Sequence, residues 1–145
     1  MTVSSAILGL LSVGRCGDLS EEEFAVIRGH ATAGAELLSG SRSPTIRMAE
    51  SIALSHHERW DGTGYPQGLR AQHIPLESRI VALADAFDAM THVRAHRGAR
   101  SMQDAVDEVV AHAGTQFDPE VVKAFLIALE AGEIAAPVAD KVNGA

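Results

Sequence analysis

Residues 56–66 of this chain read His-His-Glu-Arg-Trp-Asp-Gly-Thr-Gly-Tyr-Pro. Two adjacent histidines end an apolar run, a carboxylate follows at once, and a glycine-rich turn then presents one tyrosine and one proline. Neutral imidazole is a good ligand for zinc, iron, manganese and nickel. The stretch therefore predicts a metal site beside a loop, because its glycines and proline break helices and build turns.

Helix signals flank this stretch on both sides. Upstream, Ser20-Glu21-Glu22-Glu23 has the form of a capping box, and Pro44 suits the first turn of a second helix that runs into His56. Downstream, Pro75 can open a third helix, a fourth should begin near Ser101 with Asp104 completing its cap, and a fifth should begin at Asp118-Pro119. No segment alternates as a strand does, so we expect an all-α fold of about five helices.

Apolar residues recur at helical spacing and predict the buried faces. The first helix would bury Phe24, Ile27, Ala31, Gly34, Leu37 and Leu38. The second would bury Ile46, Ala49, Ile52 and Ala53, and the third Ile80, Leu83, Ala84, Phe87 and Met90.

Length and charge narrow the classes of function. A chain of 145 residues suits one domain. A net charge of −7 argues against DNA or RNA as a partner, because that binding depends on basic residues that displace counterions from phosphates. The apolar run 6–13 is too short to span a membrane and no basic region precedes it. The single cysteine, Cys16, forms no internal disulfide, and we expect a cytoplasmic protein.

Three further side chains extend the candidate metal site. His30 lies on the helical stripe of Ile27 and Ala31, so it should face inward; a hydrogen-bonded core histidine would show the same pattern. Asp85 could bridge two metal ions, or it could be a structural or surface carboxylate. His56 and His57 point about 100° apart on a helix, so both would reach a site that spans that arc.

Arginines follow the third helix, at Arg94, Arg97 and Arg100. Arginine is well shaped to hold phosphate oxygens through two hydrogen bonds. Basic residues also favour helix C-termini, so the row equally fits a solvated helix end.

The order of these motifs resembles the second half of an HD-GYP domain, from about Leu19 to about Leu126. The matching segments are His56-His57-Glu58, Asp61-Gly62-Thr63-Gly64-Tyr65-Pro66 with Gly68-Leu69, Ile74-Pro75-Leu76, Arg79-Ile80, Ala84-Asp85-Ala86-Phe87-Asp88-Ala89-Met90-Thr91 and Gly114-Thr115-Gln116-Phe117-Asp118-Pro119. On this basis residues 19–131 form a partial HD-GYP domain, 1–18 a poorly matched N-terminal segment and 132–145 a frayed tail.

The resemblance implies an incomplete all-helical bundle with a glycine-rich GYP loop. It further implies two or more divalent ions, iron or manganese, and hydrolysis of the bacterial messenger cyclic di-GMP by metal-bound water. The implied metal ligands are His30, His56, His57 and Asp85. The implied substrate contacts are Tyr65, Asp88, Arg94 and Arg97.

One part of the family pattern is missing, because no His-Asp dipeptide occurs in the sequence. Four ligands shared between two ions leave each ion undercoordinated. Helix faces that the missing helices cover would also be exposed, and an apolar patch favours association. We therefore expect either weak or absent hydrolysis by the isolated chain, or a homodimer that covers the open face. The alternatives to a phosphodiesterase are an inactive nucleotide-binding or signalling-protein interaction module, and a truncated product.

Overall fold

The structure is a computed structural model that describes residues 20–91 and 101–134. These residues form five α-helices and no strand, apart from an isolated bridge between Ala113 and Phe117. The helices are α1 (Glu21–Leu38), α2 (Pro44–Ser55), α3 (Leu76–Thr91), α4 (Met102–Ala111) and α5 (Pro119–Glu130), with a short 3-10 turn at Ala71–His73 before α3. The all-α prediction is confirmed.

Local capping accounts for where the last two helices begin. At the start of α4, Ser101 Oγ accepts from the Asp104 amide at 3.1 Å and Asp104 Oδ2 accepts from the Ser101 amide at 3.3 Å, which is the predicted capping box. At the start of α5, Asp118 Oδ1 accepts from the Glu120 amide at 2.9 Å. These bonds satisfy amides that have no partner within a helix. The side chain of Glu23, predicted to cap α1 together with Ser20, lies outside the described part.

The main core lies where α3, α4 and α5 meet. Its buried side chains are Leu83, Phe87, Ala105, Val109, Phe117 and Val122. Phe125 adds an edge contact to Phe87, with ring centroids 4.9 Å apart. Burial of each large side chain contributes about 1.5–3 kcal/mol, so this cluster fixes the half of the bundle that carries α3.

The first two helices pack against each other through small residues. Ile27, Ala31 and Ala35 of α1 are buried at intervals of four residues. A Cβ atom at Gly34 would stand 3.5 Å from Ala53 Cβ, so the two helices approach closely there. This pairing holds α1 beside the C-terminal end of α2, where the paired histidines follow.

Buried hydroxyl groups join α2 to α3. Ser55 and Ser78 are 2% and 0% exposed, and their Oγ atoms are 2.8 Å apart. Ser55 Oγ also lies 2.7 Å from the Ser51 carbonyl oxygen, and Ser51 Oγ donates to Glu77 at 3.0 Å. Small hydrogen-bonded side chains let two helices meet at short range without leaving buried polar groups unsatisfied. The contact fixes the end of α2 next to α3.

Four of the predicted buried positions were wrong, including Ala84, which is exposed on α3. Leu37 is 87% exposed. It follows Ala35 by two residues, a rotation of about 200° around the helix, and so it faces away from the buried stripe of α1. Ile46 is 36% exposed in the first turn of α2. Ile80 is 49% exposed although it shares a face of α3 with buried Phe87, because it lines an open groove between α3 and α5.

Several predictions fall on residues outside the described ranges. They include Cys16, Arg94, Arg97, Arg100, the segment 1–18 and most of the tail 132–145. The domain boundaries accordingly stay predictions. Within the described residues, no helix has the length and apolar character needed to cross a membrane.

Candidate metal centre

Three histidines from two helices meet at one end of the α1–α2 pair. His30 comes from α1, His56 caps the C-terminus of α2 and His57 follows it. One ring nitrogen of each lies within 4.8 Å of the others. His30 Nε2 and His57 Nε2 are 3.0 Å apart, and the rings of His56 and His57 have centroids 4.0 Å apart. Ligand nitrogens about 2.0–2.1 Å from one ion lie about 3 Å apart, so this spacing fits a shared metal ion.

Backbone carbonyl groups orient two of the rings. His56 Nδ1 lies 2.9 Å from the Ile52 oxygen and 3.0 Å from the Ala53 oxygen, and His30 Nδ1 is hydrogen-bonded to the Ile27 oxygen. A carbonyl only accepts, so Nδ1 carries the proton in each ring. In a neutral ring Nε2 is then unprotonated, which is the state that a metal ligand needs.

Burial favours the uncharged form of the third ring. The pKa of His57 is lowered from its usual value of 6.5 to about 4, mainly by loss of solvation and then by the neighbouring His56 and His30; Asp85 acts in the opposite direction. A ring with this pKa is neutral near pH 7. His57 can therefore bind a cation without first having to discharge an imidazolium.

Asp85 lies beside the histidine cluster but is not a member of it. Its carboxylate on α3 is close enough to act electrostatically on His57. The set of donor atoms that lie within 4.8 Å of one another contains the three histidines and not Asp85. The structure thus brings together three of the four predicted ligands and places the fourth close by, and the ligand assignment itself stays a prediction.

Glu58 organises the loop that follows the histidines, a role that the sequence did not reveal. Its side chain is only 4% exposed. One carboxylate oxygen accepts from the Gln67 amide at 2.7 Å, and the other accepts from the Leu69 amide at 2.9 Å. One feature of the sequence could have predicted this role: the acidic residue stands shortly before a glycine-rich segment, and the backbone amides of such a segment need hydrogen-bond acceptors.

Gly64 allows the loop to fold back onto the residues that precede it. A Cβ atom there would lie 2.4 Å from the Arg59 nitrogen, 2.5 Å from Glu58 Cα and 2.6 Å from the His57 oxygen. Real side chains never approach backbone so closely, so only glycine fits. The next residue, Tyr65, donates its amide to the His57 oxygen at 3.3 Å, and its ring stacks on the His57 ring with centroids 4.8 Å apart.

The turn before α5 supports the other side of this loop. The amides of Trp60 and Asp61 donate to the oxygens of Gln116 and Thr115 at 3.1 and 2.9 Å. Arg59 Nη1 donates to Gln116 Oε1 at 2.9 Å. Arg59 and Gln116 are 57 residues apart in the sequence. These bonds therefore fix the loop to the part of the chain that leads into the main core.

An internal hydrogen bond shapes the tip of the loop. Asp61 Oδ1 accepts from the Thr63 amide at 3.0 Å and from Thr63 Oγ1 at 2.6 Å. These bonds lower the pKa of Asp61, and the bond from the Thr63 hydroxyl has the largest effect. Arg59 Nε also donates to Thr63 Oγ1 at 3.0 Å. The residues between Glu58 and Tyr65 thus form a braced turn rather than a free strand of chain.

The predicted substrate contacts fall in different places. Tyr65 is half-buried against His57, and the guanidinium of Arg28 lies over its ring, with Cζ 5.3 Å from the centroid. Burial raises the pKa of Tyr65, and Arg28 opposes that rise. Asp88 is exposed on α3 and lines the α3–α5 groove, whose lining includes none of the three histidines. Arg94 and Arg97 lie outside the described residues.

Comparisons with known proteins point to a family for this chain. A family model described as HD domain matches residues 10–121. A cyclic di-GMP phosphodiesterase of Thermotoga maritima is 46% identical over 110 residues, which are 76% of this chain and 30% of that protein. The cyclic di-GMP phosphodiesterase response regulator RpfG of Xanthomonas campestris pv. campestris is 48% identical over 110 residues, 76% of this chain and 29% of that protein.

The fold has a counterpart among solved structures. A crystal structure of a cyclic GMP-AMP specific phosphodiesterase of V. cholerae superposes with a TM-score of 0.57 at 22% identity, over 90% of this chain and 33% of that one. The chain spans less than a third of the length of the two relatives above. The length of the family match and the identity of the relatives show that the chain belongs to the HD domain family and carries a part of the HD-GYP type.

Proposed function

We propose that this chain provides the metal-binding and GYP-loop part of a phosphodiesterase that hydrolyses cyclic di-GMP in bacterial signalling. The observation that carries the proposal is the cluster of His30, His56 and His57 with the Tyr65 ring stacked on its edge. A cluster of imidazoles next to an aromatic side chain suits a ligand that has both a phosphodiester and a base.

The donor set fits divalent metal, and we propose iron or manganese, with two or more ions held by the three histidines and Asp85. When bound, such ions supply hydroxide near neutral pH by lowering the pKa of coordinated water. The chain's own part is to hold the rings in the required tautomer through the carbonyl groups of Ile27, Ile52 and Ala53. The carboxylate of Asp85 adds negative charge that favours cation binding.

Tyr65 and the proposed substrate contacts would bind the rest of the nucleotide. Glu58 and Gly64 position Tyr65 for this by holding the loop against His57. We propose that Asp88, Arg94 and Arg97 contact other parts of the ligand, the two arginines near its phosphates.

A second candidate function is a nucleotide-binding or protein-interaction module that has no turnover. The donor geometry favours it, because only three described histidines lie within 4.8 Å of one another and Asp85 lies outside that group. Such a module would keep the histidine cluster and the loop, and would act on a signalling protein by binding alone.

Metal analysis and a hydrolysis assay together separate the two functions. Purified protein loaded with manganese or ferrous iron should contain stoichiometric metal and convert cyclic di-GMP to a linear or mononucleotide product. Stoichiometric metal with nucleotide binding but no product would favour the binding module. Absence of bound metal would contradict both functions. We also propose a cytoplasmic location, which follows from the nature of the substrate.

A further inference from the structure

Three elements converge on the ring of Tyr65. The loop provides the tyrosine, the end of α2 provides His57 and α1 provides Arg28. The His57 ring stacks on Tyr65 with an interplanar angle of 28°, and the Arg28 guanidinium lies over the same ring at 5.3 Å. Arg28 is therefore linked by direct contacts to the candidate metal centre.

The position of Arg28 matters because the ligand proposed for this site is anionic. The whole chain carries a net charge of −7, so a phosphate group approaching the histidines needs a local positive charge. Arg28 is exposed and lies two residues before His30 on α1. Its long side chain brings that charge over the Tyr65 ring, which in turn stacks on His57.

The chemistry of guanidinium allows both contacts at once. Stacking on an aromatic ring uses the face of the planar group, whereas hydrogen bonds to phosphate use the N–H groups at its edge. An arginine that only covered a tyrosine with its aliphatic stem would keep its charged end in solvent. Here the charged carbon itself lies over the ring, which favours a contact made by the head group.

We propose that Arg28 binds a phosphate group of the nucleotide while its face remains on Tyr65. The two side chains then form one phosphate subsite next to the histidines. This proposal rests on the proposed function and adds a residue from α1 that sets ligand affinity. It gives α1 two roles, one in metal binding through His30 and one in ligand binding through Arg28.

Calorimetric titration of cyclic di-GMP into the manganese-loaded chain tests the proposal. Loss of a charge-assisted contact in Arg28→Gln should weaken binding about tenfold. Arg28→Lys should lose less, because it keeps the charge but not the planar group. The matched control is Arg47→Gln, an exposed arginine nine residues before His56 on α2, which should bind within about twofold of wild type. All variants should retain the wild-type manganese content.

Binding of Arg28→Gln within about twofold of wild type would overturn the proposal, as would an equal loss in Arg47→Gln. Loss of manganese in both Arg28 variants would also overturn it, since Arg28 would then support the metal centre. If wild type binds no cyclic di-GMP, the proposed substrate fails by itself, and inorganic pyrophosphate replaces it as the probe. Equal pyrophosphate binding by wild type and Arg28→Gln, or none by either, would overturn the subsite.

Discussion

His30 Nε2 and His57 Nε2 stand 3.0 Å apart although the two residues are separated by 27 positions in the sequence. The α1–α2 pairing creates this contact, because the small residues between the helices let the middle of α1 reach the end of α2. The two ring nitrogens lie at hydrogen-bond distance, so a proton is shared between them, and a cation bound there would take the place of that proton. The pair therefore presents two ring nitrogens to one cation.

Removal of one cluster histidine should reduce metal binding. We expect His57→Ala to lower manganese content and to weaken affinity by about tenfold or more, because the remaining two rings offer fewer ligands. His73→Ala is the matched control, since His73 is exposed in the 3-10 turn and is not a member of the cluster. Metal content by mass spectrometry after dialysis measures the effect. Unchanged metal in His57→Ala would refute the ligand assignment.

Glu58→Gln should loosen the loop. The amide nitrogen of glutamine cannot accept a hydrogen bond, so the amide of Gln67 or of Leu69 loses its acceptor in a buried site, at a cost of about 1–3 kcal/mol. Urea unfolding should show this loss of stability. The control is Glu36→Gln, an exposed residue of α1, whose stability should stay within about 0.5 kcal/mol of wild type. A midpoint for Glu58→Gln equal to that of the control would show that the loop does not depend on this carboxylate.

Gly64→Ala should separate the loop from the histidines. The added Cβ would overlap the backbone of residues 57–59, and backbone atoms cannot move aside as a flexible side chain does. We expect a destabilised chain in which Tyr65 no longer stacks on His57, measured by unfolding and by the nuclear magnetic resonance shifts of the single tyrosine. Gly29→Ala is the control, because no atom lies within 4 Å of its added Cβ. Similar spectra for both variants would contradict the close approach.

The stability of the metal-free chain should fall between pH 6.5 and about 4. His57 has a pKa of about 4 when folded and an ordinary value of 6.5 when unfolded. In this window the unfolded chain binds a proton at His57 that the folded chain does not, so stability is full above pH 6.5 and is lost as the pH falls. Urea midpoints across this range should show a smaller decline in His57→Gln. An equal decline in both proteins would show that burial of His57 does not contribute.

The homodimer predicted from the sequence has a specific surface to test. A groove of about 1040 Å³ between α3 and α5 exposes Leu76 and Ile80. If a second copy covers this groove, Ile80→Asp should shift the chain to the monomer in light scattering, because a charge would be buried. Ile127→Asp is the control, since Ile127 is 59% exposed on α5 and does not line the groove. A monomeric wild type would refute the dimer.

Local signals in the sequence predicted the helices well, because each depends on neighbouring residues. Ser101 and Asp104 form the expected capping box, and Asp118 with Pro119 begins α5. Burial was harder to predict, since it depends on what packs against a helix. Ile80 has the right spacing for the core but lies over the open groove.

The sequence alone predicted the all-α class and the family, both of which are confirmed, and a set of candidate metal ligands, which stays a prediction. Those properties follow from residue chemistry and from spacing along one helix. Only the tertiary structure decided that His30 reaches His57, that Asp85 lies beside the three histidines rather than among them, and that Glu58 holds the loop that carries Tyr65. Each of these depends on distances between segments far apart in the chain, which packing of the helices sets and which no local pattern encodes.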